Sequence, residues 1–318
     1  MKIYRDLDEI TAPFVNAQVT IGNFDGVHLG HRLLFERVVE HAHRDQGTSV
    51  AITFDPHPLK VISPKGIRLI STTAQKIEQI EQAGIDVLIV IPFTRTVAAT
   101  SAEAFVDCIL MGKIGLRGLV IGYDYALGKG RQGDISFLQQ QGREKGFSVE
   151  VIEPHYVDND LVSSTRIRTL VTAGRMRDVY KLLGRFYQIR GVVQPGKKRG
   201  RTLGFPTANL YLSEEDLCPK SGVYVTQVLY DGRQYGGVAN IGYNPTFGVN
   251  ELVAETHIFD FNADIYGKPL KINLLRYLRT EMAFESAEAL MSQISKDVAV
   301  AHKVLAVARQ RKLIAYKK

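Results

Sequence analysis

The chain has little cysteine: Cys108 and Cys218 are its only two, and they lie far apart. No CxxC pair exists, so a zinc ribbon and a dithiol redox motif are both excluded. The pair reads as two reduced, mostly buried thiols. Long apolar runs are missing too. Nothing approaches the roughly 20 uninterrupted apolar residues that a membrane-spanning helix needs. The opening stretch MKIYRDLDEI carries Arg5, Asp6, Asp8 and Glu9 where a signal peptide would be apolar. A cytoplasmic protein without a membrane partner is the expectation. GxxxxGK[ST] occurs nowhere, which excludes a P-loop, and no GxGxxG follows the first strand-like segment, which removes the standard dinucleotide fingerprint.

What is present is ordinary globular composition, with 45% hydrophobic and 23% charged residues over 318 positions, enough for two domains with real cores. The formal charge of +7 suggests an anionic partner without separating nucleotides from nucleic acid or a membrane surface. Two rhythms follow each other. Up to about residue 185, apolar strands alternate with helical stretches: QVTI (18–21), TSVAITF (48–54), DVLIVI (86–91), GLVIG (118–122) and SVEVI (148–152). Ile77 and Ile80 share a helical face ahead of the stop signal Gly84, and Thr100 with Glu103 has capping-box spacing. This alternation predicts an α/β domain, a parallel sheet covered on both faces.

Beyond 186, strand-like YQIRGVVQ, GVYVTQVLY, RQYGGVANI, VAETHIF and PLKINLLRYL succeed one another without helices, and Asp231-Gly232 marks a tight hairpin. An amphipathic helix over about 285–313 closes the chain. The pattern predicts a small antiparallel barrel with that helix packed outside. RMRDVYKLL, bracketed by Gly174 and Gly184, separates the halves, so the expected domains are 1–184 and 185–318.

Candidate chemistry starts at TIGNFDGVHLGH (20–31), behind the first strand. Gly22 and Gly26 permit a tight turn, Gly30 permits close approach to the following helix, and that helix start presents free N–H groups to an anion. His28 and His31, three residues apart, can aim at one phosphate; imidazole donates hydrogen bonds and can become cationic. Zinc would want a third ligand, which does not accompany the pair. An isolated HxxH is more often a cap and a solvated ring; behind a strand and a glycine turn, phosphate is the better reading. Gly22, Asn23 and Gly30 are the accompanying phosphate-binding candidates.

FDPHP (Phe54, Asp55, Pro56, His57, Pro58) leaves the carboxyl end of the second strand, where ligands bind in open parallel sheets; a plain strand-ending turn explains it as well. SSTRIR (163–168) places hydroxyls and guanidiniums at another helix start, where Ser and Thr are commonly plain N-caps.

In the second half, GKKRGRTLGFPTANL (196–210) interleaves glycines with Lys197, Lys198, Arg199 and Arg201. A solvated loop, a nucleic-acid patch and a cover over phosphates are all compatible with it. Thr207 and Asn209, two apart in an extended segment, share a face where two oxygens could hold Mg²⁺, although such residues usually cap turns. Glu255, within VAETHIF, is either structurally paired or kept for proton abstraction.

Together, GxFDGxHxGH, FDPHP and SSTxxR resemble the nucleotidyltransferase module of the bacterial bifunctional riboflavin kinase/FMN adenylyltransferase family, also called FAD synthetase. RGRTLGFPTAN, GVY (222–224), NIGYNPTFG (240–248), ETHIF and LRTEMAF (278–284) resemble its riboflavin kinase module in order and spacing. The resemblance implies a Rossmann-like nucleotidyltransferase sheet followed by a six-stranded barrel. It implies that His28 and His31 stabilise ATP phosphates, that Ser164, Thr165 and Arg168 hold the β- and γ-phosphates, and that FDPHP lies towards FMN. It further implies that Thr207 and Asn209 bind Mg-ATP under a loop containing Gly196 and Gly200. Glu255 would then be the general base on riboflavin, with Arg279 closing the flavin side. Tyr125 and Leu127 depart from the family, which more often has phenylalanines there.

Two alternatives remain at this point. One is an adenylyltransferase with another phosphorylated acceptor, against which FDPHP and the whole second half weigh. The other is a nucleic-acid-binding protein using the basic barrel. That alternative calls for aromatics interleaved with the basic run, and GKKRGRTLG has none.

Overall fold

A computed structural model of the chain describes residues 1–196, 200, 203–213, 215–246, 249–311 and 313. The chain divides into two compact units, Met1–Ser164 and Thr165–Lys318.

The first unit is built on six parallel strands: β1 (Lys2–Tyr4), β2 (Ala17–Ile21), β3 (Ser49–Asp55), β4 (Val87–Pro92), β5 (Leu116–Gly122) and β6 (Ser148–Ile152). Their order across the sheet is β1-β4-β3-β2-β5-β6. Side chains alternate between two separate cores. Val19, Ile21, Val50, Ile52 and Ile89 join one core, with Phe105, Leu110 and Leu138 from helical segments. Ala51, Leu88 and Val90 join the other, with Leu34 and Phe35 of α1 (Leu29–Arg44) and Ile80. Burial on both faces is what makes the central strands mostly apolar in sequence. The unexpected edge strand β1 has only Tyr4 buried, too little apolar signal to stand out.

FDPHP leads from β3 into the short helix α2 (Pro58–Ile62), and Ile77 and Ile80 lie on α3 (Thr73–Gln82), after which Gly84 has a φ of 83°. The expected capping residue Thr100 is displaced by one position. Ser101 caps the helical segment by accepting from the Ala104 N–H, whereas Thr100 donates its hydroxyl to the Thr96 carbonyl. A complete capping box occurs instead at Thr72 and Gln75. The thiols also differ from expectation: Cys108 is exposed and Cys218 half-buried. In the helical turns over Phe105–Ile114 the buried positions are Phe105, Val106, Leu110 and Ile114, and Cys108 falls outside that stripe.

The second unit begins at Thr165, within the helix Ser164–Thr172, and continues with the helix Met176–Leu183. Six antiparallel strands follow, numbered here after the small hairpin of β7 (Tyr156–Val157) and β8 (Asp160–Leu161): β9 (Tyr187–Val192), β10 (Thr207–Tyr211), β11 (Gly222–Tyr230), β12 (Arg233–Thr246), β13 (Val249–Ile258) and β14 (Pro269–Arg279). The sheet runs β10-β13-β12-β11-β14-β9 and curls until its edges meet at an antiparallel bridge between Gln194 and Asn209. Register shifts between β11 and β14 at Val223/Tyr224 and Val225/Thr226 supply part of that curl. Asp231 and Gly232 have φ of 47° and 69°, the left-handed pair a two-residue hairpin requires. The closing helix Ala287–Gln310 packs Ala301, Leu305 and Ala308 onto Val223, Val225 and Leu275 outside the sheet. Tyr224, Thr226 and Val228, the alternate positions of β11, are fully buried as well.

Candidate active sites

In the first unit the chain passes β2, β3 and β4 in one direction, then returns to place β5 on the other side of β2. The reversal makes the carboxyl end of β2 a topological switch point, the usual ligand crevice of an open parallel sheet. The turn there holds Phe24, Gly26 and Val27 in left-handed conformations, with φ of 48°, 80° and 38°. A Cβ on Gly26 would lie 2.8 Å from Ile70, and one on Gly22 would lie 2.6 Å from the Phe24 ring. The buried Asp25 carboxylate accepts from the N–H groups of Ile70 and Ser71 at 3.0–3.2 Å, while the Ser71 hydroxyl accepts from Gly26 N–H at 3.0 Å.

His28 is buried and is the N-cap of α1: its Nδ1 accepts from the His31 N–H at 3.3 Å. An accepting Nδ1 bears no proton, so the ring N–H is at Nε2. The His31 ring stacks on His28 with 3.5 Å between centroids, and Phe24 meets His31 edge-on. Both expected histidines therefore sit together at the helix start. At Gly30 a Cβ would lie 3.3 Å from His28 Nδ1, so the glycine makes room for the imidazole. Asn23 is exposed, and its carbonyl accepts from Thr53.

Beside this turn, at the end of the neighbouring strand, Asp55 and Pro56 are exposed while His57 is buried. His57 caps α2 through Nδ1, accepting from Leu59 N–H at 3.1 Å. The last residue of the unit, Ser164, donates its hydroxyl to the Asp25 carbonyl at 3.0 Å. Thr165 and Arg168 lie on the same helix in the second unit, Thr165 exposed and Arg168 half-buried. Leu127 is buried in the core of the first unit and Tyr125 packs against that core, so neither departure from the family pattern disrupts the sheet.

Sequence reasoning missed Lys76. This residue is 7% exposed, and its ammonium donates to the Asn23 carbonyl (3.3 Å), the Thr53 hydroxyl (3.0 Å) and the Phe54 carbonyl (3.1 Å). Burial pushes it down to about 8, against the opposing pull of Asp25 and Asp55. A lysine at a position alternating with Ile77 and Ile80 carries no signal of its own in the sequence.

In the second unit the register sets Thr207 opposite His257 and Asn209 opposite Glu255, and sets Asn240 opposite Glu255 from the other side. Directly paired residues share a face. Thr207, Asn209, Asn240, Glu255 and His257 thus line one face across three strands. His257 Nδ1–H donates to the Pro206 carbonyl at 2.9 Å, fixing the chain just before Thr207. Gly196 packs on the Asn209 amide so closely that a Cβ would lie 2.3 Å from Nδ2, and a Cβ on Gly200 would lie 2.4 Å from the Phe205 carbonyl oxygen. A cavity of about 360 Å³ opens along β10, lined by Val193, Thr207, Asn209, Thr256, Asp264 and Tyr266 among others. The Thr256 hydroxyl is buried there without a hydrogen-bond partner. Neither Thr256 nor the 261–266 segment was anticipated. Lys197, Lys198, Arg199 and Arg201 lie outside the described residues.

Arg279 is held away from open solvent. Its guanidinium grips the buried Asp297 of the closing helix at 2.7–3.2 Å and also donates to the Thr280 carbonyl. Among the described residues, no group of three or more His, Cys, Asp or Glu could hold a metal, and no helix is long and apolar enough to cross a membrane.

Residues 12–166 match the family model for FAD synthetase, and residues 183–305 match that for riboflavin kinase. Proteins named bifunctional riboflavin kinase/FMN adenylyltransferase align along most of the chain. The one from Pseudomonas fluorescens is 36% identical, covering 98% of this chain and all of its own length. Those from Listeria monocytogenes and Escherichia coli are 35% and 33% identical, covering 89% and 93% of this chain and 90% and 96% of their own. A solved structure described as a macrolide-efflux protein from Streptococcus pneumoniae shares the fold, with a TM-score of 0.86 at 30% identity over 94% of this chain and 98% of that one. With two family models in series and relatives aligned nearly end to end, the chain belongs to the bifunctional riboflavin kinase/FMN adenylyltransferase family.

Proposed function

We propose that this chain makes FAD from riboflavin in two ATP-dependent steps, one in each half. The second half phosphorylates riboflavin to FMN; the first adenylylates FMN to FAD and releases pyrophosphate. The observation that carries this reading is the separation of two sites. The paired histidines lie within the FAD synthetase match, and the Thr207, Asn209 and Glu255 face lies within the riboflavin kinase match. We place the functional division at 1–184 and 185–318. The interval between the two matches, 166 to 183, supports it, although the compact units themselves meet between Ser164 and Thr165.

In the kinase step, the riboflavin 5′-hydroxyl attacks the γ-phosphorus of ATP, the bond to the bridging oxygen breaks, and ADP leaves. Glu255 takes the hydroxyl proton. The glycine-rich segment with Gly196 and Gly200 covers the phosphates, and Arg279 supports the flavin side from its anchor on Asp297. Mg²⁺ suits this site. Thr207 and Asn209 offer neutral oxygens without a carboxylate cage, and Mg²⁺ is commonly held by few protein ligands together with substrate phosphates and water. When bound, it neutralises developing phosphate charge.

In the adenylyl step, a phosphate oxygen of FMN attacks the α-phosphorus of ATP, and the bond to the departing pyrophosphate breaks. No protein nucleophile is needed, so catalysis is positioning and charge stabilisation. His28 and His31, with the backbone at Gly22, Asn23 and Gly30, hold the phosphates. Ser164, Thr165 and Arg168 take the departing β- and γ-phosphates, and FDPHP (54–58) faces FMN. Its substrates are small molecules, and we place the enzyme in the cytoplasm without a nucleic-acid or membrane partner.

The test is a time course with ATP, Mg²⁺ and riboflavin, the flavins being separated by chromatography. FMN should appear before FAD. FMN alone would leave the kinase standing and remove the role given to the histidines. Neither product, with oxidised or reduced flavin, would overturn the reading.

A further inference from the structure

Among the described residues Lys76 is the one buried lysine, and its three donors meet three acceptors, one from the glycine turn and two from the end of β3. The Asn23 carbonyl belongs to the glycine turn ahead of His28 and His31; the Thr53 hydroxyl and Phe54 carbonyl belong to the end of β3, where FDPHP begins. Thr53 itself donates to Asn23 at 3.2 Å, closing the knot. Just ahead of its helix, α3, the chain is anchored by Asp25, whose carboxylate holds the Ile70 and Ser71 N–H groups. The charged groups facing the ammonium are Asp25 from the turn and Asp55 from β3.

We propose that Lys76 is a positioning residue for adenylyl transfer: its ammonium ties the turn carrying His28 and His31 to the FDPHP end of β3, setting the spacing between the nucleotide and flavin sides. This rests on the reading that places adenylyl transfer at the two histidines. A protonated lysine has three N–H donors for these three acceptors; the neutral amine has two and no charge. Burial brings that loss of a proton down to about pH 8, within reach of an ordinary assay.

The experiment measures FMN adenylylation by the full chain from pH 6.5 to 9.5 for wild type, Lys76→Met, Lys76→Arg and His31→Ala, with riboflavin phosphorylation by the same preparations as the internal control. In wild type, adenylylation kcat/KM should fall as pH rises through about 8. Lys76→Met should lower it on the order of 100-fold at neutral pH, the scale of an ångström-sized misplacement of reacting groups. The pH-dependent limb should vanish while phosphorylation is unchanged. Lys76→Arg, which stays charged, should keep activity at pH 9, where wild type has lost it. A wild-type profile that is level from pH 7 to 9, or Lys76→Met with normal adenylylation, would overturn the proposal. So would Lys76→Arg with the wild-type limb, which settles the matter even if Lys76→Met does not fold. Full adenylylation by His31→Ala would instead remove the underlying placement of the site.

Discussion

At His28 and His57 the imidazole has a structural task alongside any chemical one: each Nδ1 accepts a backbone N–H at the start of a helix. That bond leaves the ring N–H at Nε2 and fixes the direction in which each ring can donate. His31, stacked on His28 in the first turn of α1, is not the N-cap of that helix. It is therefore the cleaner probe of the first site. His31→Ala should abolish FAD formation from supplied FMN and leave FMN formation from riboflavin intact. Glu255→Ala should do the reverse. Equal damage to both reactions by both changes in folded protein would contradict two independent sites. The pair of histidines was legible because glycines and a strand frame them in the sequence. Lys76 was not, because a lysine on an amphipathic helix reads as solvated until the glycine turn and the end of β3 are seen to surround it. Thr256 was hidden likewise, lying between Glu255 and His257 but facing the other way along the strand.

At the scale of elements, small offsets in sequence change which side chain does the work. Thr100 and Ser101 are both plausible caps, but only the Ser101 hydroxyl accepts a free N–H, that of Ala104. Ser101→Ala should cost about 1 kcal/mol of stability, while Thr100→Ala should stay within about 0.5 kcal/mol. Denaturant midpoints of the two variants check this. The closing helix depends on a larger contact. Asp297, 8% exposed as a side chain, meets Arg279, 20% exposed, through a two-pronged ion pair to the end of β14. Removing one partner of a buried pair strands the other charge, so Asp297→Ala should destabilise by roughly 3 kcal/mol. Hydrogen exchange should quicken first in the closing helix, because Ala301, Leu305 and Ala308 pack on the sheet beside that anchor.

For the whole molecule, Lys76 couples stability and activity with opposite signs. Its folded-state value is about 8 against 10.5 for a free lysine. Between these values the folded chain has released the proton and the unfolded chain keeps it, so stability rises with pH. The contribution is absent below about pH 8 and complete above 10.5, on the order of 3 kcal/mol. Thermal unfolding of wild type and Lys76→Met across that window should show wild type gaining relative stability as pH rises. Adenylylation by wild type should decline over the lower part of the same window. The sequence by itself determined the alternating strands and helices, the change to an antiparallel barrel, and the residue types that suit phosphate chemistry. Those follow from local periodicity, from turn-forming residues such as Asp231-Gly232, and from motifs contiguous along the chain. Only the tertiary structure decided that Glu255 stands between Asn209 and Asn240, that Asp297 anchors Arg279, and that Lys76 joins the glycine turn to the end of β3. Each of these pairings links residues 15 or more positions apart, and strand register and helix packing, which no short window of sequence contains, bring them together.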